Sequence, residues 1–250
     1  MRIRSSVAAV ALVLAAVACG SDSTGPSSST SPLNQALAEL SSPVLAVGGL
    51  SLVGIEGPAP SLDPLACPYS PTEQGFVCSP ISRGGITIGQ SFTLYGSSGL
   101  QSSFDPTTSS IHSSTQINGT SVGQGMSLTV SGRQETTLSG LVSGRHLLNG
   151  WLAIRIVGTV SDETSTYPVD VTVSSSIFDV VLPANADGAQ IWPSSGSITG
   201  DIKGTMGPAY LNQRTEITFK GGSTALVGVT GTGGATKACM VDLAVAQAAC

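Results

Sequence analysis

The stretch HLLNGWLAIRIVGTV, residues 146–160, decides the fold. Leu152, Ile154, Ile156 and Val160 fall on one parity, with Trp151, Arg155 and Val157 on the other. A period of two marks a half-buried strand, because successive side chains leave a pleated backbone on opposite faces. Asn149-Gly150 interrupts the run after Leu147-Leu148. Asn-Gly is the pair a type I′ turn needs, since both central residues take positive φ. The stretch is therefore predicted to be a hairpin, with Leu148 facing Trp151 and Leu147 facing Leu152. Asn118-Gly119 reads the same way.

The same period extends in both directions. Ile86, Ile88, Phe92 and Leu94 share a face, with Thr87, Ser91 and Thr93 opposite. Tyr167, Val169, Val171 and Val173 repeat the pattern against Asp170 and Thr172. Ile177 to Leu182 is apolar except for Asp179, and residues 183–188 read as a loop. Ile198, Ile202 and Met206 alternate with hydroxyl and charged residues. Ile217 and Phe219 alternate with Glu216, Thr218 and Lys220; Gly221-Gly222 turns, Leu226 to Val229 returns, residues 231–234 turn again, and Cys239 to Val245 closes a three-strand meander.

Before residue 84 the chain reads differently. Ser31 can cap a short helix that Pro32 opens and Pro43 stops, with Leu33, Ala36, Leu37 and Leu40 on one side. Val44 to Val53 is an apolar strand or buried connector. Five prolines between Gly57 and Pro71 exclude regular structure there. No helical pattern of useful length follows Leu40. The expected fold is all-β: an antiparallel up-and-down curved sheet or barrel of about ten strands, with a short N-terminal helix.

The start of the chain carries a different signal. Arg2 and Arg4 precede the small and apolar run Val7 to Ala18, which is shorter than the roughly 20 residues a bilayer span needs. Ala16-Val17-Ala18-Cys19 resembles the lipobox of bacterial lipoproteins, with Ala16 where that family usually has leucine. The resemblance implies cleavage before Cys19 and acylation of its sulfur. An ordinary cleaved signal followed by a free cysteine is the rival reading. Residues 20–31, GSDSTGPSSSTS, form a polar tether with a span of roughly 20 Å. The expected organisation is a signal peptide at 1–18, a lipidated tether at 19–31 and a single β-rich domain at 32–250. Gly20 and Ser21 follow the cysteine where an inner-membrane retention signal has Asp, so the outer membrane is expected if the cell has one.

Loss of residues 1–18 leaves 232 residues, with eight basic and fifteen acidic side chains. A net charge of about −7 and no basic stripe exclude a nucleic-acid partner, and leave the N-terminal lipid as the membrane contact. Of the five cysteines, four remain beside Cys19, and they fall as Cys67 with Cys78 and Cys239 with Cys250. Four cysteines allow three connectivities; local closure is the simplest in an oxidising compartment. A four-cysteine metal site is disfavoured because no C-x-x-C spacing occurs.

Several stretches resemble a group of uncharacterised, β-rich secreted bacterial lipoproteins: ACGSDSTGP at 18–26, GFVCSPISRGGITI at 75–88, SSFDPTTSSI at 102–111, TEITFKGGSTALVGV at 215–229 and TKACMVDLA at 236–244. That resemblance implies an exported β-domain with paired cysteines, and carries no site residue across.

No nucleophile elbow, H-E-x-x-H, phosphate loop or calcium loop occurs, and neither catalytic residues nor a cofactor or metal site is expected. His112 and His146 have no acid beside them in sequence. Gly231-x-Gly233-Gly234 precedes a strand and reads as a turn; Asp162-Glu163 reads as a solvated loop; Asn118-Gly119-Thr120 matches a glycosylation acceptor but is explained by the turn. Two function classes remain: a non-enzymatic envelope lipoprotein that presents a hydroxyl-rich sheet in a structural or adhesive role, and a carrier whose concave face holds a lipid or another apolar ligand. Leu152, Ile154, Ile156 and Val160 are candidate lining for the second. An envelope protein is the other partner class to consider.

Overall fold

The computed structural model describes residues 67–249, except 84, 124, 162–163, 184–191 and 243–246. The signal, Cys19, the tether, the helix expected after Ser31, Asp162-Glu163 and Cys250 lie outside the described residues. So do the apolar stretch at 44–53, residues 57–66 of the proline-rich span and residues 184–188 of the expected loop.

Every strand among the described residues belongs to one antiparallel sheet. The elements are β1 (Tyr69–Ser70), β2 (Gly75–Val77), β3 (Ile81–Arg83), β4 (Ile86–Gly96), β5 (Gly99–Gln101), β6 (Thr108–Gly123) and β7 (Met126–Ser139). They continue as β8 (Arg145–Ser161), β9 (Thr166–Pro183), β10 (Ser195–Met206), β11 (Ala209–Phe219), β12 (Thr224–Thr230), β13 (Thr236–Asp242) and β14 (Gln247–Ala249). From β6 to β14 each strand pairs with its neighbours in sequence; β2, β3, β5 and β6 all pair with β4. The order begins at β1 and ends at β14, and these two do not pair with each other. The described sheet is thus open, and a closed barrel is excluded for it. Fourteen strands replace the expected ten because short pieces such as β1, β3 and β5 line the first part of the sheet. β1 lies inside the proline-rich span, against the expectation of no regular structure there, and pairs Tyr69 with Phe76.

The alternation predicted from sequence is the burial pattern observed. Ile86, Ile88 and Leu94 of β4, Ile154, Ile156 and Val160 of β8, and Val169 and Val171 of β9 are buried on one face. Trp151, Arg155 and Val157 are exposed on the other. Two main clusters divide the inner face. One gathers Ile117, Leu128, Val130, Ile154 and Val171 at one end of the strands. The other gathers Leu138, Leu148, Val180, Ile217 and Val227 at the opposite end. The C-terminal meander forms, with Ile217 opposite Val227 and Val227 opposite Cys239, but its third strand spans Thr236–Asp242 against the expected Cys239 to Val245, and a further strand, β14, pairs with it. Gly231 to Gly234 is its second turn, closed by a bond from Gly231 N to Ala235 O of 3.1 Å.

Neither Asn-Gly pair is a turn. Asn149-Gly150 lies inside β8 and Asn118-Gly119 inside β6. The turn before β8 is made instead by residues 140–144, where Gly140 has φ 80° and Gly144 φ 71°. Continuity wins on pairing. An unbroken β8 matches β7 over fourteen residue pairs, from Met126↔Val160 to Ser139↔Leu147. It also keeps Leu148, Leu152, Ile154 and Ile156 on the same face. A turn at 149–150 would fold β8 on itself and break both ladders.

Gly150 is still required, for a different reason. A Cβ there would stand 2.4 Å from Glu135 O and 2.9 Å from Thr136 Cγ2. The β7 backbone has come too close for any side chain.

Candidate functional site

The outer face carries the described polar chemistry, and its registers bring together residues that sequence leaves far apart. β6 and β7 align Ser114 with Glu135 and His112 with Thr137. The Glu135 side chain is only 10% exposed although it lies on the outer face. Ser114 Oγ donates to Glu135 Oε1 at 2.8 Å, and Arg133 Nε donates to the same oxygen. His112 Nε2 lies 2.7 Å from Oε2. That oxygen nonetheless accepts no well-directed hydrogen bond among the described residues, so the imidazole stands close to it without an aimed N–H. The other ring nitrogen, Nδ1, is 3.0 Å from Thr137 Oγ1.

This cluster is not a hydrolytic triad. A nucleophilic serine must be bonded to the imidazole that takes its proton. Here Ser114 is bonded to the carboxylate. The set is a cross-strand clasp, and its signal in sequence was only parity: His112 and Ser114 share one side of β6, Arg133, Glu135 and Thr137 one side of β7. His146, on β8 opposite Leu182 of β9, is half-buried and pairs with no acid among the described residues.

Elsewhere two carboxylates have their ionised form favoured. Arg155 donates Nε to Asp170 Oδ1 at 3.1 Å and Nη2 to Oδ2 at 2.9 Å across β8 and β9. The hydrogen bonds, and then the charge, of this fork lower the Asp170 pKa below its ordinary 3.8. Asp105, in the loop before β6, accepts from Thr107 Oγ1 at 2.6 Å and Thr107 N at 2.7 Å; these bonds lower its pKa as well. Among the described residues no group of three His, Cys, Asp or Glu side chains is placed to hold a metal ion.

The inner face is not uniformly apolar. Ser113 pairs with Thr136 and Thr115 with Gln134, between the two main clusters. All four side chains are buried, and Ser113 Oγ, Thr115 Oγ1, Gln134 Oε1 and Thr136 Oγ1 have no hydrogen-bond partner among the described residues. The proposed ligand wall lies beside them. Ile154 is 1% and Ile156 8% exposed, both packed in one cluster with Val160 and edged by Leu152. The four behave as core.

Cys67 and Cys78 are joined as expected. Cys67 packs with Phe76, Leu94 and Ile111. Cys239 is disulfide-bonded, and Cys250, the partner expected for it, lies outside the described residues.

Fold and site together define an open, one-sheet antiparallel meander with a buried apolar face and an outer face of hydroxyls and small charge clasps. No family model, no curated protein and no solved structure matches the chain.

Proposed function

We propose that the chain is a cell-envelope lipoprotein, held to the membrane by a lipid on Cys19, whose β-domain presents its outer face in a structural or adhesive role and catalyses no reaction. The observation that carries the presenting role is the asymmetry of the sheet. Its outer face is dressed with hydroxyls that bond to one another across hairpins: Ser82 to Thr87 at 3.0 Å, Thr120 to Thr129 at 3.1 Å, Ser161 to Thr166 at 2.8 Å and Thr230 to Thr236 at 3.0 Å. Such pairs need no counter-charge and little flexible side chain, so they suit a static surface. We read the sheet as curled toward its apolar face, because open twisted sheets rarely exceed about ten strands without curling. The lipobox resemblance at 16–19 supports the anchor, and the polar tether supports the spacing from the membrane.

The test is fractionation of the full chain against Cys19→Ala. The native chain is expected in the detergent phase, with an acyl mass on its first residue. A variant that partitions unchanged overturns the anchor.

A further inference from the structure

The geometry points to a binding site for a neutral glycan on the outer face of β8 and β9, around Trp151, Phe178 and Asp179. It deepens the presenting role proposed above and rests on it for its meaning, though not on lipidation.

A β-bulge builds the site. Leu148 pairs with Val180 and Gly150 with Ile177, so Asn149 alone faces both Phe178 and Asp179. On the other side of β9, Ser195 pairs with Val181 and Ser197 with Phe178, so Gly196 alone faces Asp179 and Val180. Each of the three strands contributes a fitted residue. Asp179 takes φ 47°, a left-handed conformation that aspartate tolerates better than most residues. Asn149 Oδ1 accepts from Asp179 N at 2.8 Å, and Asn149 Nδ2 donates to Asp179 Oδ1 at 3.2 Å. Gly196 leaves room, since a Cβ there would meet Asp179 O at 2.4 Å.

The bulge changes what the strand displays. Regular alternation would turn either Phe178 or Asp179 inward. Here both are exposed, Phe178 at 58%. Bulges often re-aim side chains in this way beside functional sites. Trp151, 43% exposed, pairs with Ser176, two residues before Phe178 on the same face. Diagonal neighbours of this kind stand roughly 7–8 Å apart. Two exposed aromatic side chains therefore stand on neighbouring strands of one face. Beyond the bulge a groove of about 360 Å3 opens, with Leu147 and Val181 among its lining beside the polar Ser139, Ser143, Arg145, Asp179 and Ser195.

The chemistry selects the ligand class. A sugar ring has an apolar C–H face that stacks on an aromatic plane, and equatorial hydroxyls that bond to polar side chains at the rim. The groove supplies one guanidinium, one carboxylate and hydroxyls around two aliphatic side chains, with no net charge. An anionic polymer finds no cluster of cations. A purely apolar ligand would leave the groove's polar groups unpaired on burial, which is costly.

The test is isothermal titration of the full chain in detergent with maltohexaose, cellohexaose and mannohexaose, with heparin as the charged control. At least one neutral hexasaccharide should bind. Trp151→Ala and Phe178→Ala should each weaken that binding at least tenfold at unchanged melting temperature. Trp151→Phe should retain most of it, and Tyr210→Ala, an exposed aromatic at the β10–β11 turn, all of it. Absence of binding by all three sugars overturns the proposal. So does native-like binding by both alanine variants, or salt-sensitive binding of heparin in preference to the neutral sugars. None of these results bears on membrane fractionation, so failure here is distinguishable from failure of the anchor.

Discussion

Asn149 grips Asp179 with both ends of its amide, 2.8 Å from Oδ1 to the aspartate backbone nitrogen and 3.2 Å from Nδ2 to its carboxylate. The same asparagine reads in sequence as the first half of a turn. In the structure it is the peg that holds a bulge thirty residues away.

Asn149→Ala should therefore destabilise the domain, although a hairpin reading would place the damage elsewhere. Two exposed hydrogen bonds are lost, and Asp179 must hold its positive φ unaided. The expected cost is about 1–2 kcal/mol in urea unfolding. Amide exchange should accelerate at 178–180. Fast exchange confined to 147–152 would instead favour a local turn.

Gly150→Ala should cost more, on the order of 1–3 kcal/mol, because its Cβ drives into Glu135 O. Gly89→Ala is the matched control. It is also a strand glycine, with nothing within 4 Å of its would-be Cβ. Gly99, with φ 105°, is unsuitable as a neutral control despite its open surroundings. Equal melting temperatures for the Gly150 and Gly89 variants would contradict the close approach of β7 and β8.

Acid should weaken the domain through Asp105 and Asp170. Both carboxylates sit below their ordinary value of 3.8 when folded. Between the folded and unfolded values the unfolded chain binds more protons. Their stabilising contribution is thus complete above the unfolded value and drains as pH falls through the folded one. The melting temperature should drop more steeply between about pH 5 and pH 2 in the native chain than in an Asp105→Asn, Asp170→Asn double variant. Parallel curves would remove these two groups from the account.

Cys78→Ser should cost somewhat under about 3 kcal/mol, the loop-entropy scale for a bridge spanning eleven residues. Because Cys67 packs against Phe76, Leu94 and Ile111, the loss should show first as exchange at β1 and β2. Non-reducing peptide mapping is expected to pair Cys239 with Cys250. A peptide joining Cys67 to either would refute local closure.

Sequence alone determined the strand faces. Ile86, Ile154, Val169 and Ile217 are buried because alternation on a pleated backbone is a local property, readable wherever one face is apolar. It also determined the antiparallel order, since short connections permit no other pairing. Where strands turn was decided only by the whole sheet. Asn149-Gly150 and Asn118-Gly119 carry strong local turn chemistry, yet pairing along both edges of β6 and β8 outweighs it. Register followed from that choice, and with it every cross-strand meeting. His112 reaches Glu135 only because the chain turns between β6 and β7, and Asn149 reaches Asp179 only because β8 runs unbroken to Ser161 before β9 returns from Thr166. A turn displaced by a few residues leaves each strand's faces unchanged, but it changes which side chains meet across them.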